Sequence, residues 1–351
     1  MSDELSFIAT AIGSLPCATA EEALDIIFAS IPSCPIWPQL SKRGLREQME
    51  IQYSEGLPCV VIDEANGRMF FDTADEDASA VAMGSFYETY MAAEESDDWS
   101  PFAISEQFSA GIPALERRLQ EKVLPFIKVQ TTGPISIGLS IVDENKRSIY
   151  YNEAFRDVIV KGVAAKCRWQ LKKFAPFAKK LICFVDEPIL SAFGSSTYVS
   201  VIRDDVVAII NELVESIHAA GALCGVHCCG NTEWPILIDA GVDIVNFDAY
   251  EFGETIALYP EPVKQHLERG GYLAWGVVPT SEKIFDNDVA SLTAVYDKHV
   301  ERLAGLGIDK TLIHEKTIVT PSCGTGSLPI DTAKKVFELL GTTAAALKER
   351  N

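Results

Sequence analysis

The sequence predicts a single-domain α/β protein with the (β/α)8, or TIM-barrel, fold over residues 1–351. Three observations predict this fold. Short runs rich in β-branched residues alternate along the chain with longer segments of helical periodicity. The runs are apolar at nearly every position, which is typical of parallel strands covered on both faces. Eight such runs occur, and eight β/α units favour a closed barrel over an open sheet.

The predicted strands are short, and amphipathic segments separate several of them. Strands are predicted at residues 7–13, 59–63, 126–131, 181–186, 223–227, 244–247, 273–278 and 317–320. Helices are predicted at residues 153–177, 204–220 and 331–348. Residues 68–125 exceed the length of one crossover, so we predict an insertion after the second strand. No glycine-rich dinucleotide or phosphate motif follows a strand, which argues against an open nucleotide-binding sheet.

Composition excludes several classes of function. The net charge of −20 disfavours partners such as nucleic acid or an anionic membrane. No apolar run is long enough to span a bilayer and the start of the chain lacks a secretory signal, so we expect a cytoplasmic protein. Nine cysteines in such a chain favour metal binding or core packing over disulfides. Four of them lie in apolar runs and are predicted core residues: Cys59, Cys167, Cys183 and Cys224.

Residues able to bind metals or polar substrates follow most of the predicted strands. Barrel enzymes carry their chemistry at the carboxyl ends of the strands. The residues at these ends include Ser14, Glu64, Asp186, His227, Cys229, Asp248 and Cys323. The sequence therefore predicts one site assembled from several strand ends.

A metal site is predicted from the ends of the fifth and eighth strands. His227 and Cys229 are two residues apart in an extended segment, so their side chains face the same way, and Cys323 follows the last strand. One histidine and two thiolates suit Zn²⁺, and three protein ligands with an exchangeable fourth position are typical of catalytic sites. Asp248 is the candidate fourth ligand and Glu251 a weaker one. The alternative is a pair of buried thiols beside a hydrogen-bonded core histidine.

Thiolate ligands indicate what such a zinc site would do. Sulfur ligands leave zinc less Lewis-acidic than histidine and carboxylate ligands do, which favours activation of a substrate thiol over activation of water. Coordination removes the proton from a thiol near neutral pH and leaves a nucleophilic sulfur. Methyl transfer to sulfur is the reaction that this chemistry predicts.

An ordered set of short motifs runs along the chain. They are Ile12-Gly13-Ser14-Leu15-Pro16, Val61-Ile62-Asp63-Glu64-Ala65, Thr132-Gly133-Pro134, Val185-Asp186-Glu187-Pro188, His227-Cys228-Cys229, Asp248, Gly276-Val277-Val278 and Pro321-Ser322-Cys323-Gly324. In this order they resemble the catalytic C-terminal barrel of cobalamin-independent methionine synthase, of the single-barrel "core" type. That family lies within the wider superfamily of uroporphyrinogen decarboxylase-like barrels.

The resemblance implies a set of zinc ligands. Matched position by position, His227, Cys229 and Cys323 correspond to residues that hold zinc in that family. Its fourth ligand is a glutamate, and the matching residue here is Asp248, whose shorter side chain is a departure from the pattern.

The resemblance also implies homocysteine as methyl acceptor and methionine as product. Ser14 corresponds to the residue that receives the homocysteine carboxylate. Glu64 and Asp186 correspond to the acids that hold its ammonium group, and Asp186 is counted with the zinc ligands as catalytic. A pair of carboxylates offsets the desolvation of an ammonium ion in a closed pocket.

The methyl donor is inferred from a second departure. Full-length members of the family carry two barrels with a folate donor between them, whereas one barrel is predicted here. Stand-alone barrels of this type imply methylcobalamin or a corrinoid-carrying protein as donor.

Several other functions remain open at this point. A methylcorrinoid:coenzyme M methyltransferase would share the fold and the zinc motif, although its sulfonate acceptor would not pair with acids. A uroporphyrinogen decarboxylase needs an arginine-rich substrate motif that residues 37–40 lack. Zinc-dependent hydrolysis is a further enzyme alternative, and a zinc- or corrinoid-binding module without turnover is the non-enzymatic one.

Overall fold

A computed structural model describes residues 5–120 and 122–350. The strands are β1 (Ile8–Ala9), β2 (Val60–Asp63), β3 (Arg68–Phe71), β4 (Leu124–Thr132), β5 (Val142–Asp143), β6 (Ala178–Asp186), β7 (Leu223–Cys228), β8 (Ile244–Phe247), β9 (Tyr272–Val278) and β10 (Thr317–Pro321). Seven of them form one curled parallel sheet in the order β1-β10-β9-β8-β7-β6-β4, and the other three form a small separate sheet in the order β2-β3-β5.

Helices connect the strands and cover the outer face of the large sheet. They are α1 (Ala20–Ser30), α2 (Met49–Gln52), α3 (Glu76–Ser96), α4 (Gly111–Leu119), α5 (Pro134–Ser140), α6 (Glu153–Phe174), α7 (Arg203–Ala219), α8 (Pro235–Asp239), α9 (Ala249–Phe252), α10 (Pro260–Glu268), α11 (Val289–Gly305), α12 (Lys310–Glu315) and α13 (Ile330–Arg350). The long helices α6, α7 and α13 lie where the sequence predicts them. Among the described residues, no helix is both long and apolar enough to cross a bilayer.

The prediction of a closed eight-stranded (β/α)8 barrel is wrong, because the large sheet has seven strands and two free edges, β1 and β4. Residues 36–39 run between these edges but make only one parallel bridge to each side, Ile36 with Lys128 and Gln39 with Ser14. Pro35 and Pro38 lack the N–H groups that a continuous ladder requires. The gap is therefore spanned by irregular chain.

The predicted second strand belongs to the small sheet. β2 pairs antiparallel with β3, and the two strands are joined by a short turn at Glu64–Asn66 that ends on Gly67. Gly67 has a φ of 62°, a left-handed conformation that glycine adopts without steric cost. Asn-Gly between apolar runs is a hairpin signal, so residues 68–125, predicted as an insertion, begin with the second arm of a hairpin.

Most of the predicted core cysteines lie in the interior. Cys167, Cys183 and Cys224 are fully buried, and Cys59 is half-buried beside the Ser79 hydroxyl. Burial also raises the pKa of the Cys224 thiol well above its ordinary value, which keeps it protonated.

The concave face of the large sheet changes from apolar to polar along the strands. A core cluster inside the curl is formed by residues near the amino ends, among them Ile8, Phe126, Ile182, Ile244, Ala274 and Ile318. Because side chains alternate between faces with a period of two, positions further along the same strands face the same interior. Those positions carry Lys128, Asp186, His227, Asn246 and Thr320, all buried. The fold therefore directs a polar stripe to one end of the curl.

This end of the sheet is closely packed around Gly276, and a substitution there tests the packing. A Cβ at this position would lie 2.6 Å from the Phe247 carbonyl oxygen and 2.9 Å from the Ser322 Cα, both backbone atoms that cannot move aside. We expect Gly276→Ala to lower the free energy of unfolding by about 1–3 kcal/mol through overpacking, as measured by denaturant unfolding.

The matched control is Gly84→Ala in α3, where a Cβ would meet nothing within 4 Å. We expect this change to raise the free energy of unfolding by about 0.5–1 kcal/mol, because alanine loses less backbone freedom on folding. Equal effects of the two substitutions would contradict the packing described here.

Candidate metal centre

Three predicted ligands meet at the polar end of the sheet. His227 lies on β7, Cys229 follows that strand directly, and Cys323 lies two residues after β10. One nitrogen of His227 and the two sulfur atoms all lie within 4.8 Å of one another. Cys228 points the other way, fully buried in the core. The alternation expected from the sequence thus separates the two adjacent cysteines.

The imidazole of His227 is held from one side only. Its Nδ1 lies 2.6 Å from Oδ1 of Asn246, a fully buried side chain on the neighbouring strand. Its Nε2 is buried without a hydrogen-bond partner. A buried nitrogen without a partner is costly, and a metal ion among these three side chains would satisfy it.

The two cysteine thiols affect each other's pKa. The neighbouring Cys323 thiol, and after it the His227 imidazole, lower the pKa of Cys229 to about 4. The same contact, together with burial, raises the pKa of Cys323. The two sulfur atoms lie close enough to bind a single cation.

A cavity of about 380 Å³ opens beside the three ligands. Its walls include three carboxylates, on Glu47, Glu50 and Asp186, and no lysine or arginine is among the lining residues. The cavity is therefore suited to a small molecule that carries a positive charge.

Of these three acids, Asp186 is the one that belongs to the polar stripe on the strands. It ends β6, pairs in register with Thr132 on one side and with His227 on the other, and is 6% exposed. Its Oδ1 is buried without a partner. Burial raises the pKa of the carboxyl group, although the buried Lys128 ammonium opposes this shift. The free oxygen can accept a hydrogen bond from a bound molecule.

Ser14 forms the opposite part of the wall. Its Oγ accepts a hydrogen bond from the Gly326 amide at 3.0 Å, and its backbone oxygen accepts one from the Thr325 amide. A Cβ at Gly324 would lie 2.2 Å from Ser14 Oγ, so the loop that carries Cys323 needs glycine there. Since Ser14 Oγ accepts from the backbone, its own proton is available to a ligand in the cavity.

Two predicted site residues lie elsewhere. Glu64 is in the turn between β2 and β3, with 61% of its side chain exposed and Arg46 Nε at 2.7 Å, and it does not line the cavity. Asp248 is buried, but it caps α9 by accepting the Glu251 amide at 2.9 Å and is not one of the group within 4.8 Å. Burial raises the pKa of Asp248 to about 6. Glu251 itself pairs with Lys283 on the surface.

Other polar residues around the site are not singled out by the sequence motifs. Lys128 is fully buried, donates to the Ile12 carbonyl oxygen and lies 4.7 Å from the centre of the Phe184 ring. Further residues of this kind are Gln39 and Glu47 in the cavity wall, and Gln130 and Asn246 on the strands. A signal does exist: Lys128 and Gln130 recur with a period of two inside an apolar run, which indicates an inward polar stripe.

Glu187 anchors the turn that follows Asp186. Its carboxylate accepts hydrogen bonds from the Ile135 amide and from the Ser136 amide and hydroxyl, at 3.0, 2.7 and 2.6 Å. A Cβ at Gly133 would lie 2.0 Å from this carboxylate, so glycine is required for its approach. Complete burial raises the pKa of Glu187 to about 7.

This shift predicts how stability depends on pH. The unfolded chain releases the Glu187 proton near pH 4.5, whereas the folded chain holds it until about pH 7. Between these values folding takes up a proton, so the ionisable group lowers stability as pH rises, by at most about 1.4 kcal/mol per pH unit. We expect the unfolding free energy of the native protein to fall relative to Glu187→Gln from pH 4.5 to 7. Urea unfolding at several pH values measures this.

The control is Glu94→Gln, which replaces an exposed carboxylate on α3 and should give a difference that does not change over the same pH range. If the native protein gains stability relative to Glu187→Gln as pH rises, the pKa of Glu187 is not raised by folding and the prediction is wrong.

Comparisons with known proteins place the chain in no family. No family model matches it, and no curated protein matches it. Among solved structures it is similar to A. niger ochratoxinase, at 19% identity and a TM-score of 0.28, over 54% of this chain and 41% of that one. It is also similar to a putative fructose-1,6-biphosphate aldolase from Coccidioides immitis, at 14% identity and a TM-score of 0.27, over 68% and 81% of the two chains. The chain spans less than half the length of the ochratoxinase. Scores this low bear on neither fold nor function.

Proposed function

We propose that this protein is a zinc-dependent methyltransferase that transfers a methyl group to the thiol of homocysteine and so forms methionine. One observation carries the proposal: a histidine nitrogen and two cysteine sulfur atoms converge within 4.8 Å on the wall of an acid-lined cavity. Neither the ligand set nor the acidic wall alone would suffice, because the first selects a metal and the second selects the substrate.

The donor set supports zinc. His227, Cys229 and Cys323 offer one nitrogen and two sulfur atoms, a borderline-soft set that suits a d¹⁰ ion. The unpartnered Nε2 of His227 and the low pKa of Cys229 leave both groups ready to act as ligands. When bound, Zn²⁺ would lower the pKa of an incoming thiol so that its sulfur is nucleophilic near neutral pH.

The cavity wall supports an amino-thiol acceptor. Asp186 presents a buried, unpartnered oxygen to an ammonium group, and Glu50 adds negative charge nearby, whereas Glu47 is already paired with Arg43 at 2.8 Å. Glu64, which the resemblance assigns to ammonium binding, lies outside the cavity wall and has no part in this proposed site. On the other side Ser14 has a free hydroxyl proton for the substrate carboxylate. Binding at both ends would orient the thiol towards the three ligands, and orientation supplies a large part of the rate gain in such transfers.

The size of the cavity bears on the methyl donor. A volume of about 380 Å³ accommodates a small amino acid but not a corrinoid. We propose methylcobalamin, or a corrinoid-carrying protein, as the donor, and it would reach the sulfur from the mouth of the cavity. This part of the proposal rests on the resemblance to the single-barrel synthases.

The acidic wall weighs against two of the alternatives. Coenzyme M carries a sulfonate and uroporphyrinogen carries several carboxylates, and neither would find a cation among the lining residues. A zinc-binding module without turnover would need no acid in the wall. The proposed function and these alternatives differ in which thiol, if any, they predict to be methylated.

The direct test is a turnover assay. The zinc-loaded protein, given methylcobalamin and homocysteine, should form methionine, and it should be far slower with coenzyme M. Cys323→Ser should lose the metal and reduce turnover to the level of chelator-treated protein. Metal content and methionine are measured together on the same samples.

The matched control is Cys59→Ser, which replaces a half-buried cysteine in the turn just before β2. It should retain both metal and turnover. Full zinc occupancy without methionine formation would rule out the proposed function, and equal rates with the two thiols would favour the coenzyme M reading.

Substitution of Asp186 tests acceptor recognition. Asp186→Asn keeps the size of the side chain but removes the charge, and a charged hydrogen bond contributes roughly 1.5–3 kcal/mol. We expect KM for homocysteine to rise about 10- to 100-fold while zinc content is retained. Initial-rate kinetics measure this.

Glu64→Gln serves as the control, because this exposed residue should leave KM unchanged. The opposite pattern, with KM altered by Glu64→Gln and not by Asp186→Asn, would show that another surface binds the acceptor.

A further inference from the structure

Asn246 is a buried amide that connects β7, which carries His227, with β10, which leads to Cys323. It lies on β8, pairs in register with His227 of β7 and with Ala274 of β9, and is fully buried. Its Nδ2 lies 2.8 Å from the Ala274 carbonyl oxygen and 2.8 Å from Oγ1 of Thr320 on β10. Its Oδ1 lies 2.6 Å from Nδ1 of His227.

The orientation of this amide is fixed by chemistry. The Ala274 carbonyl oxygen can only accept a hydrogen bond, so the NH2 group of Asn246 must face it. The second hydrogen of the same NH2 group is directed to Thr320. The amide oxygen is then the atom left facing His227. Reversing the amide would set two acceptors against each other in the buried interior, at the cost of an unsatisfied polar group.

We propose that Asn246 is a positioning residue that selects the tautomer of His227. The Asn246 oxygen can only accept, so Nδ1 of His227 carries the proton. In the neutral ring Nε2 then holds the lone pair, and this is the nitrogen that lies buried without a partner beside Cys229 and Cys323. The amide therefore presets which ring nitrogen can bind a metal, before any metal arrives.

This inference goes beyond the proposed function and does not depend on methyl transfer. It concerns the metal-binding state of one histidine and holds for any reaction at this site. A protein that binds zinc but forms no methionine would overturn the proposed function and leave the tautomer assignment intact.

The first experiment reads the tautomer directly. The chain has five histidines, so selective ¹⁵N-histidine labelling gives a simple spectrum, and loss of one signal set in His227→Ala assigns that residue. Long-range ¹H–¹⁵N NMR of chelator-treated protein should show His227 with a proton on Nδ1, held by the Asn246 oxygen. After Zn²⁺ is added, only Nε2 should shift to a metal-bound position. An unprotonated Nδ1 in the chelator-treated protein would overturn the proposal, and this result needs no variant to fold.

The second experiment compares three substitutions by Zn²⁺ affinity in a chelator competition assay. Asn246→Leu removes the acceptor at similar volume, and we expect a loss of about 10- to 100-fold, as is common when the partner of a ligating histidine is removed. Asn246→Asp keeps an acceptor facing Nδ1 but sets its second oxygen against the Ala274 carbonyl oxygen, so it should lower the free energy of unfolding while retaining the tautomer and a higher Zn²⁺ affinity than Asn246→Leu.

Thr320→Val is the matched control. It disturbs the same buried network but leaves Ala274 to orient the amide, so Zn²⁺ affinity should stay at the native level. If Thr320→Val weakens zinc binding as much as Asn246→Leu does, Asn246 acts only through packing and the proposal is wrong.

Discussion

The register of three neighbouring parallel strands is the constraint on which the site depends. It sets Asp186 of β6 opposite His227 of β7, and His227 opposite Asn246 of β8. Because pleated strands alternate their side chains, residues that pair in this way face the same side of the sheet. A slip of one residue in β7 would turn His227 outward and bring Cys228 in. One ladder of backbone hydrogen bonds thus positions the proposed substrate-binding acid, the proposed metal ligand and the partner of that ligand.

The sequence predicts the strands of the large sheet well and its closure poorly. Seven of the eight predicted strands lie in the parallel sheet, because an apolar run bounded by turns is a local signal. Which strand pairs with which is not local. Asn66-Gly67 turns β2 back into a hairpin, and two prolines prevent residues 36–39 from forming a ladder in its place. Counting runs could not separate an open, curled seven-stranded sheet from a closed barrel.

For the candidate site, too, the sequence locates some residues correctly and misplaces others. His227, Cys229 and Cys323 are brought together as their strand-end positions suggest. The motifs assign Glu64 and Asp248 to the site only by their order along the chain, and order does not determine distance. Glu64 lies in a solvent-exposed turn and Asp248 is engaged in capping α9. By contrast, Asn246 is recognisable only when its neighbours on β9 and β10 are known.

Zinc X-ray absorption spectroscopy on the native protein tests directly whether these three side chains hold the metal. Binding through His227, Cys229 and Cys323 predicts one histidine nitrogen at about 2.0–2.1 Å and two sulfur atoms at about 2.3 Å from the metal. A spectrum fitted by nitrogen and oxygen alone, or a protein in which the two cysteines form a disulfide and bind no zinc, would contradict zinc binding by His227, Cys229 and Cys323.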